Sequence, residues 1–246
     1  MSANFKVVIP ARFASTRLPG KPLINILGKP MIEWVYLAAK ASQAEQVIVA
    51  TDDDRISQAV ESFGGECCIT RSDHETGTDR IVEVTELMGW SDDTVIVNLQ
   101  GDEPLMPAEN LTQVAFNLVK SGYDMSTLHK KIDQQEATDS NLVKLVSDIN
   151  GRALYFSRSV IPFDRDANRA SYFGHIGLYA YRVGFLKTYA KLKPCMLEQS
   201  EKLEQLRALN YGYNIHTEQA VKTPGTGVDT EQDLLNVTQQ LKDKRL

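Results

Sequence analysis

From Met1 to Ile32 the chain carries five cations, Lys6, Arg12, Arg17, Lys21 and Lys29, and no carboxylate. They surround the run VVIPARFASTRLPGKP, in which cations, the hydroxyls Ser15 and Thr16 and a flexible Pro19-Gly20 turn follow an apolar segment. Such a loop surrounds an anion with side-chain and backbone donors, and phosphate is the obvious guest. Common phosphate motifs do not account for it. A Walker loop needs Gly-x-x-x-x-Gly-Lys followed by Ser or Thr, whereas Ser15 holds the first glycine position and Pro22 follows Lys21. A dinucleotide fingerprint is also missing, because Gly20 is the only glycine before Gly28. A solvated loop whose cations only balance charge is the plain alternative.

Two acids stand in glycine-containing loops far apart in sequence. Asp102 lies in QGDEP just past an apolar run, where a carboxylate suits magnesium and Gly101 permits a sharp turn. It is equally placed to cap the next helix. Asp229 lies in PGTGVDT, where Thr230 is a candidate cap for the last helix; the pair suggests a shared metal, and an ordinary Gly-x-Asp loop is the competing reading. Between them, TRSDHETGTDR crowds Arg71, Asp73, His74, Thr76, Thr78 and Arg80 before a helix, with donors and acceptors suited to a base edge or a sugar. A helix start capped by Thr76, Thr78 or Asp79 explains the same residues. No Ser/His/Asp or Cys/His arrangement follows from the spacing.

These loops need elements to hold them. Strands are expected at 5–10, 46–51, 66–70 and 93–99, with helices at 31–42, 53–63, 78–88 and 107–120, and Pro10 ends the first strand. That alternation predicts a mostly parallel twisted sheet flanked by helices, with ligands bound beyond the strand C-termini. From residue 124 the pattern changes to extended runs at 124–131, 142–148, 152–157 and 175–182, with helices at 184–191, 197–210 and 230–242. We expect a single α/β domain over 1–246, softly divided near residue 123 into a nucleotide-binding part (1–123) and a mixed-sheet part (124–246) for substrate and dimerisation.

The net charge of −5 argues against nucleic acid or an anionic membrane as partner, because both demand a basic surface. Three cysteines, two of them the adjacent Cys67 and Cys68, fit neither a disulfide framework nor a zinc site. No charged-then-apolar leader opens the sequence and no apolar run reaches the roughly 20 residues a membrane span requires, so a cytoplasmic location is expected.

Together, PARFASTRLPGKPL, ITRSDHETGTDR, VNLQGDEP, ALYFSRSVIPFDR, HIGLYAYR, LEQSEKLEQLR and PGTGVDT resemble, in order and over nearly the whole chain, the cytidylyltransferases that activate 3-deoxy-manno-octulosonate (Kdo). The resemblance implies a nucleotide-diphospho-sugar transferase-like fold, a homodimer, and use of magnesium, CTP and an acidic eight-carbon sugar to make CMP-Kdo and pyrophosphate for lipopolysaccharide. It implies that Arg12, Ser15 and Lys21 hold the CTP phosphates with Arg17 nearby, that Arg71, Gly77 and Thr78 lie near the nucleotide, and that Gln100 lies beside its ribose or the sugar. Asp102 and Asp229 match the metal-binding acids, and Arg80, Arg158, His175, Tyr179, Glu204 and Gln205 match positions around the sugar. By this reading Arg12, Lys21 and Asp102 are catalytic.

Two departures bear on the acceptor. The segment before the His-x-Gly-x-Tyr strand is short, with Gly174 where the family often has a basic residue, and Ser200 replaces a common aliphatic one. A lost cation and a gained hydroxyl suit an acceptor that brings its own positive charge, such as 8-amino-3,8-dideoxy-manno-octulosonate. Sialic-acid activation and a catalytically silent nucleotide-binding regulatory module are the competing functions. The first shares the chemistry and resembles the N-terminal loop, but the C-terminal LEQLR and GTGVDT motifs speak for the octulosonate branch; the second calls for a damaged metal site where both acids are present.

Overall fold

The computed structural model describes residues 3–14, 18–166 and 170–243. Strand β1 (Phe5–Ala11) is followed by a single 3-10 turn (Lys21–Leu23) and a small hairpin, β2 (Asn25–Ile26) and β3 (Lys29–Pro30). The first half continues through α1 (Met31–Lys40), β4 (Gln46–Thr51), α2 (Asp54–Ser62), β5 (Glu66–Ile69), α3 (Gly77–Leu87), β6 (Val95–Asn98) and α4 (Ala108–Ser121). The second comprises β7 (Met125–Ile132), α5 (Gln134–Ala137), β8 (Lys144–Ser147), β9 (Ala153–Ser157), β10 (Tyr172–Arg182), α6 (Val183–Tyr189), α7 (Met196–Glu201), α8 (Gln205–Asn210), β11 (Ile215–Gln219) and α9 (Glu231–Asp243).

A nine-stranded sheet runs β11-β7-β10-β6-β1-β4-β5, with β8 on β10 and β9 on β8. Strands β6, β1, β4 and β5 are parallel, as the alternating first half predicts. Strand β10 is antiparallel to both β6 and β7, which makes the second half mixed. Alternation within strands splits the core into two layers: Val7, Ile9, Val47 and Val49 face α1, α2 and α4, whereas Val8, Ile48 and Ala50 face α3, α6 and α8. A third cluster joins Val237 and Leu241 of α9 to Ile26, Met31, Leu105 and Val228. It returns the C-terminal segment to the loop after β1. Among the described residues no helix is long and apolar enough to cross a membrane.

Several expectations are corrected. Pro10 does not end β1, which stays paired with β4 through Ala11↔Thr51. Val8 O accepts Leu99 N, so even-numbered residues of β1 turn their polar groups toward β6, and the pairing there ends at Val8↔Asn98. The missing N–H of Pro10 therefore falls beyond the ladder and breaks no bond. The helix expected at 197–210 is two helices, because Lys202 adopts the left-handed conformation (φ 55°, ψ 48°) and donates its N–H to Glu198 O. Strand β11, parallel to β7, was not expected from the sequence.

Candidate functional site

Gly20, at φ 68°, opens the turn that carries Lys21, and its N–H closes the loop onto Phe13 O at 3.1 Å. The Lys21 side chain is only 13% exposed; its Nζ lies 2.8 Å from Asp102 Oδ2, 2.7 Å from Val228 O and 3.1 Å from Asp229 Oδ1. Burial alone lowers the ammonium pKa, but the two carboxylates outweigh it and the net shift is upward. Loops remote in sequence thus meet through one cation.

The neighbouring backbone explains how Asp102 arrives there. Leu99 N bonds to Val8 O, and Gly101 then passes so close to β1 that a Cβ on it would stand 2.9 Å from Pro10 O. Asp102 O accepts Val228 N at 2.9 Å, which ties this turn to the Asp229 loop. Asp102 is no helix cap: Pro107 precedes α4 and makes no side-chain cap. Thr230 and Asp233 cap the start of α9 reciprocally, the Thr230 N–H reaching Asp233 Oδ2 at 2.9 Å and the Asp233 N–H reaching Thr230 Oγ1 at 3.2 Å. Next to Asp102, the carboxyl of Glu103 faces Gly227, and burial together with Asp102 and Asp229 pushes its pKa up to about 8.

A cleft of about 160 Å³ is lined by Arg12, Lys21, Pro22, Gln100, Gly101 and Asp102. A second, of about 230 Å³, is lined by Gly77, Thr78, Gln100, Tyr179, Glu204 and Gln205, together with Asn98, Tyr181, Tyr189 and Lys202. Gln100 belongs to both. One cleft is basic and acidic at the tip of β1; the other combines tyrosines and neutral polar groups with one cation, Lys202, and one acid, Glu204. Thr76 caps α3 with Asp79 in a capping box, so Gly77 and Thr78 begin the helix at the edge of the second cleft. There Thr78 Oγ1 donates to Glu204 Oε2 at 3.1 Å, and burial raises the Glu204 pKa although Thr78 and Arg207 oppose it.

The remaining sequence-predicted residues lie elsewhere. Arg80 is fully buried and lines neither cleft; its Nη1 donates to Thr70 Oγ1, and its Nη2 is 3.2 Å from Asp52 Oδ1 without the alignment of a hydrogen bond. Arg71 is exposed, paired with Asp73 and Glu83. His175 packs against Tyr179 and Phe156 with ring centroids 5.3 and 5.1 Å away, contacts Thr127 Oγ1 through Nε2, and lines a separate cavity of about 220 Å³ with Glu103 and Lys130. Burial, then the neighbouring His129, depresses its pKa to about 3, so it is neutral at physiological pH. Arg158 bonds to Ser140 O and Glu201 O. Ser15 and Arg17 lie outside the described residues.

The two departures thought to tune the acceptor do not line the second cleft either. A Cβ on Gly174 would stand 3.0 Å from Ile132 Cγ2 and 3.2 Å from Leu142 Cδ1, so this position faces packed aliphatic groups. Ser200 is exposed on α7. Residues overlooked in the sequence include Glu103, Asn98, Tyr181, Tyr189 and Lys202. Tyr181 was recoverable, since it sits two positions beyond Tyr179 on one strand and so shares its face.

Among the described residues no three His, Cys, Asp or Glu side chains form a metal cage. Asp102 and Asp229 nevertheless converge on one cationic nitrogen, with Glu103 beside them. That donor set fits magnesium, which takes one or two carboxylates and completes its shell with water and substrate phosphate.

Residues 6–218 match the family described as cytidylyltransferase. Two curated relatives from Vibrio vulnificus, strains YJ016 and CMCP6, are each named 3-deoxy-manno-octulosonate cytidylyltransferase; each is 52% identical over 239 residues, covering 94% of this chain and 95% of its own. A solved structure of CMP:2-keto-3-deoxy-manno-octonic acid synthetase complexed with CTP is 44% identical, with a TM-score of 0.94 over 98% of this chain and 100% of its own.

Proposed function

Because this chain belongs to the cytidylyltransferase family, with the 3-deoxy-manno-octulosonate cytidylyltransferases, we propose that it transfers CMP from CTP to the anomeric hydroxyl of an acidic eight-carbon 3-deoxy sugar and releases pyrophosphate. The observation that carries this reading is the meeting at Gln100 of a phosphate-suited cleft and an aromatic-polar cleft. The triphosphate takes the first and the sugar acid the second. This division of labour puts the anomeric oxygen and the α-phosphorus where the two spaces join.

The reaction brings an anionic donor and an anionic acceptor together, and each unit-charge pair at about 4 Å costs roughly 4 kcal/mol at an effective dielectric near 20. Arg12 and Lys21 offset that repulsion and stabilise the departing pyrophosphate. Asp102 and Asp229 would hold magnesium, which supplies charge neutralisation and polarisation of phosphoryl oxygen. When nucleotide arrives, Lys21 exchanges carboxylate partners for phosphate. His175, neutral and packed among aromatic rings, is not needed as a general base.

Within the acceptor class we favour 8-amino-3,8-dideoxy-manno-octulosonate over Kdo. Glu204 supports this preference: its carboxylate lines the cleft as a partner for a terminal ammonium, while Lys202, two positions away on the same wall, suits the sugar carboxylate. The active form is a homodimer, and the product serves lipopolysaccharide synthesis. Pyrophosphate release from each nucleoside triphosphate, paired with Kdo, its 8-amino analogue and a sialic acid in turn, tests the whole reading. CTP with an octulosonate should dominate the matrix. Higher kcat/KM for sialic acid would overturn the substrate class, and higher kcat/KM for Kdo would overturn the amine preference alone.

A further inference from the structure

The second cleft ends at an elbow, residues 202–205, which runs from the end of α7 into the first residue of α8. Lys202, Glu204 and Gln205 all line the cleft from this elbow, yet Lys202 is held in the left-handed conformation, which is unfavourable for a residue with a Cβ. Something must hold it. Inside the elbow, Arg207 grips Glu198 with two bonds, Nε to Oε2 at 2.8 Å and Nη2 to Oε1 at 2.5 Å.

A second grip comes from outside, at the residue before Lys202. Glu201 Oε1 accepts Ser157 Oγ at 2.6 Å, Glu201 Oε2 accepts Arg158 N at 2.9 Å, and Glu201 O accepts Arg158 Nε at 2.7 Å. The far end of this contact is itself fastened. Buried Lys144 donates to the backbone oxygens of Asp139, Leu142 and Arg158 at 2.8, 2.7 and 2.6 Å, and Arg158 Nη1 reaches Ser140 O. The β8–β9 hairpin thus holds the last turn of α7 through Glu201, using both carboxylate oxygens and the main-chain carbonyl.

We propose that Glu201 is a positioning residue for acceptor binding: by fixing α7 to the end of β9 it places Lys202, Glu204 and Gln205 along the acceptor cleft. Arg158 acts on the acceptor through Glu201. This inference rests on assigning the second cleft to the acceptor. Displacement of a binding group by about 1 Å is enough to cost up to about 100-fold in rate, so a loosened elbow has a kinetic signature. The first cleft contains no elbow residue, so nucleotide binding is the internal control.

The test measures KM for CTP and for the acceptor separately in E201A, E201D, R158A and the E201A/R158A double variant. Expected are an acceptor KM raised about tenfold or more in E201A with CTP KM unchanged, partial recovery in E201D, and a double variant no worse than the poorer single one. Acceptor KM unchanged in E201A overturns the proposal, as do losses in E201A and R158A that multiply in the double variant, because the two side chains then act independently. A parallel rise in CTP KM also overturns it by showing general loosening. Should E201A fail to fold, E201D and R158A still read the split between the two constants. If the acceptor is not an octulosonate, the matrix of nucleotides and acids fails first with wild-type enzyme, whereas failure of the Glu201 role leaves that matrix intact.

Discussion

Lys21 Nζ lies 2.8 Å from Asp102 Oδ2, and the two residues come from loops at the C-terminal tips of adjacent parallel strands, β1 and β6. The ammonium holds the acid in the arrangement proposed to receive nucleotide phosphate and a divalent ion. Lys21→Ala should lower kcat/KM for CTP on the order of 10²-fold or more, the usual loss when one preorganised transition-state donor is removed. The acceptor KM should change little. Steady-state pyrophosphate release with each substrate varied in turn checks this, and a defect confined to the acceptor KM would assign the cleft wrongly.

Asp102→Asn keeps size and one acceptor oxygen but removes the charge shared by Lys21 and the proposed ion. Turnover should fall by about 10³-fold or more, because phosphoryl transfer depends mainly on charge neutralisation and positioning. Titration with magnesium gives the check: near-normal turnover at saturating metal would mean that Asp102 is no anchor. Asp229→Asn should be less damaging if the ion draws its remaining ligands from phosphate and water.

The first of these residues was legible because cations and hydroxyls crowd a stretch without acids, and Asp102 because it follows an apolar run. Their meeting with Asp229 was not derivable from spacing, since it depends on Val237 and Leu241 of α9 docking against the β2–β3 region. Local patterning also revealed the parallel block, whose strands are short, apolar and β-branched. It missed β11, where only Ile215 and Thr217 are buried and the pairing partner is β7, far away in sequence. The break at Lys202 was hidden because no glycine or proline marks it; tertiary bonds from Glu201 and Arg207 impose it. Arg80 read as a cleft residue from its neighbours, while the structure buries it against Thr70 and Asp52.

Gly101 links fold and site by its lack of a side chain. An added Cβ would sit 2.9 Å from the carbonyl oxygen of Pro10, and a main-chain atom of a central strand cannot move aside cheaply. Gly101→Ala should therefore destabilise the protein by about 1–3 kcal/mol, in the range of overpacking, and displace Asp102 from Lys21. Thermal unfolding should show a lower Tm, and kcat should fall further than the loss of folded protein explains. A variant with wild-type Tm and kcat would show that the 100–103 turn relaxes freely.

Glu103 makes stability depend on pH in a defined direction. Its carboxyl has a pKa of about 8 in the fold, raised from an ordinary value near 4.5 by burial and by Asp102 and Asp229. Between those two values the native state binds a proton that the unfolded chain has already released, so stability should fall as pH rises from about 4.5 and level off above about 8. One pKa unit corresponds to about 1.4 kcal/mol, so the contribution over this window is on the order of a few kcal/mol. Glu103→Gln should flatten that part of the profile and be the more stable protein near pH 8. Urea unfolding of both proteins from pH 5 to pH 9, with EDTA present to exclude divalent ions, provides the comparison. Parallel profiles would mean that Glu103 is ionised in the fold throughout, and that the acid cluster is better neutralised by Lys21 than its burial suggests.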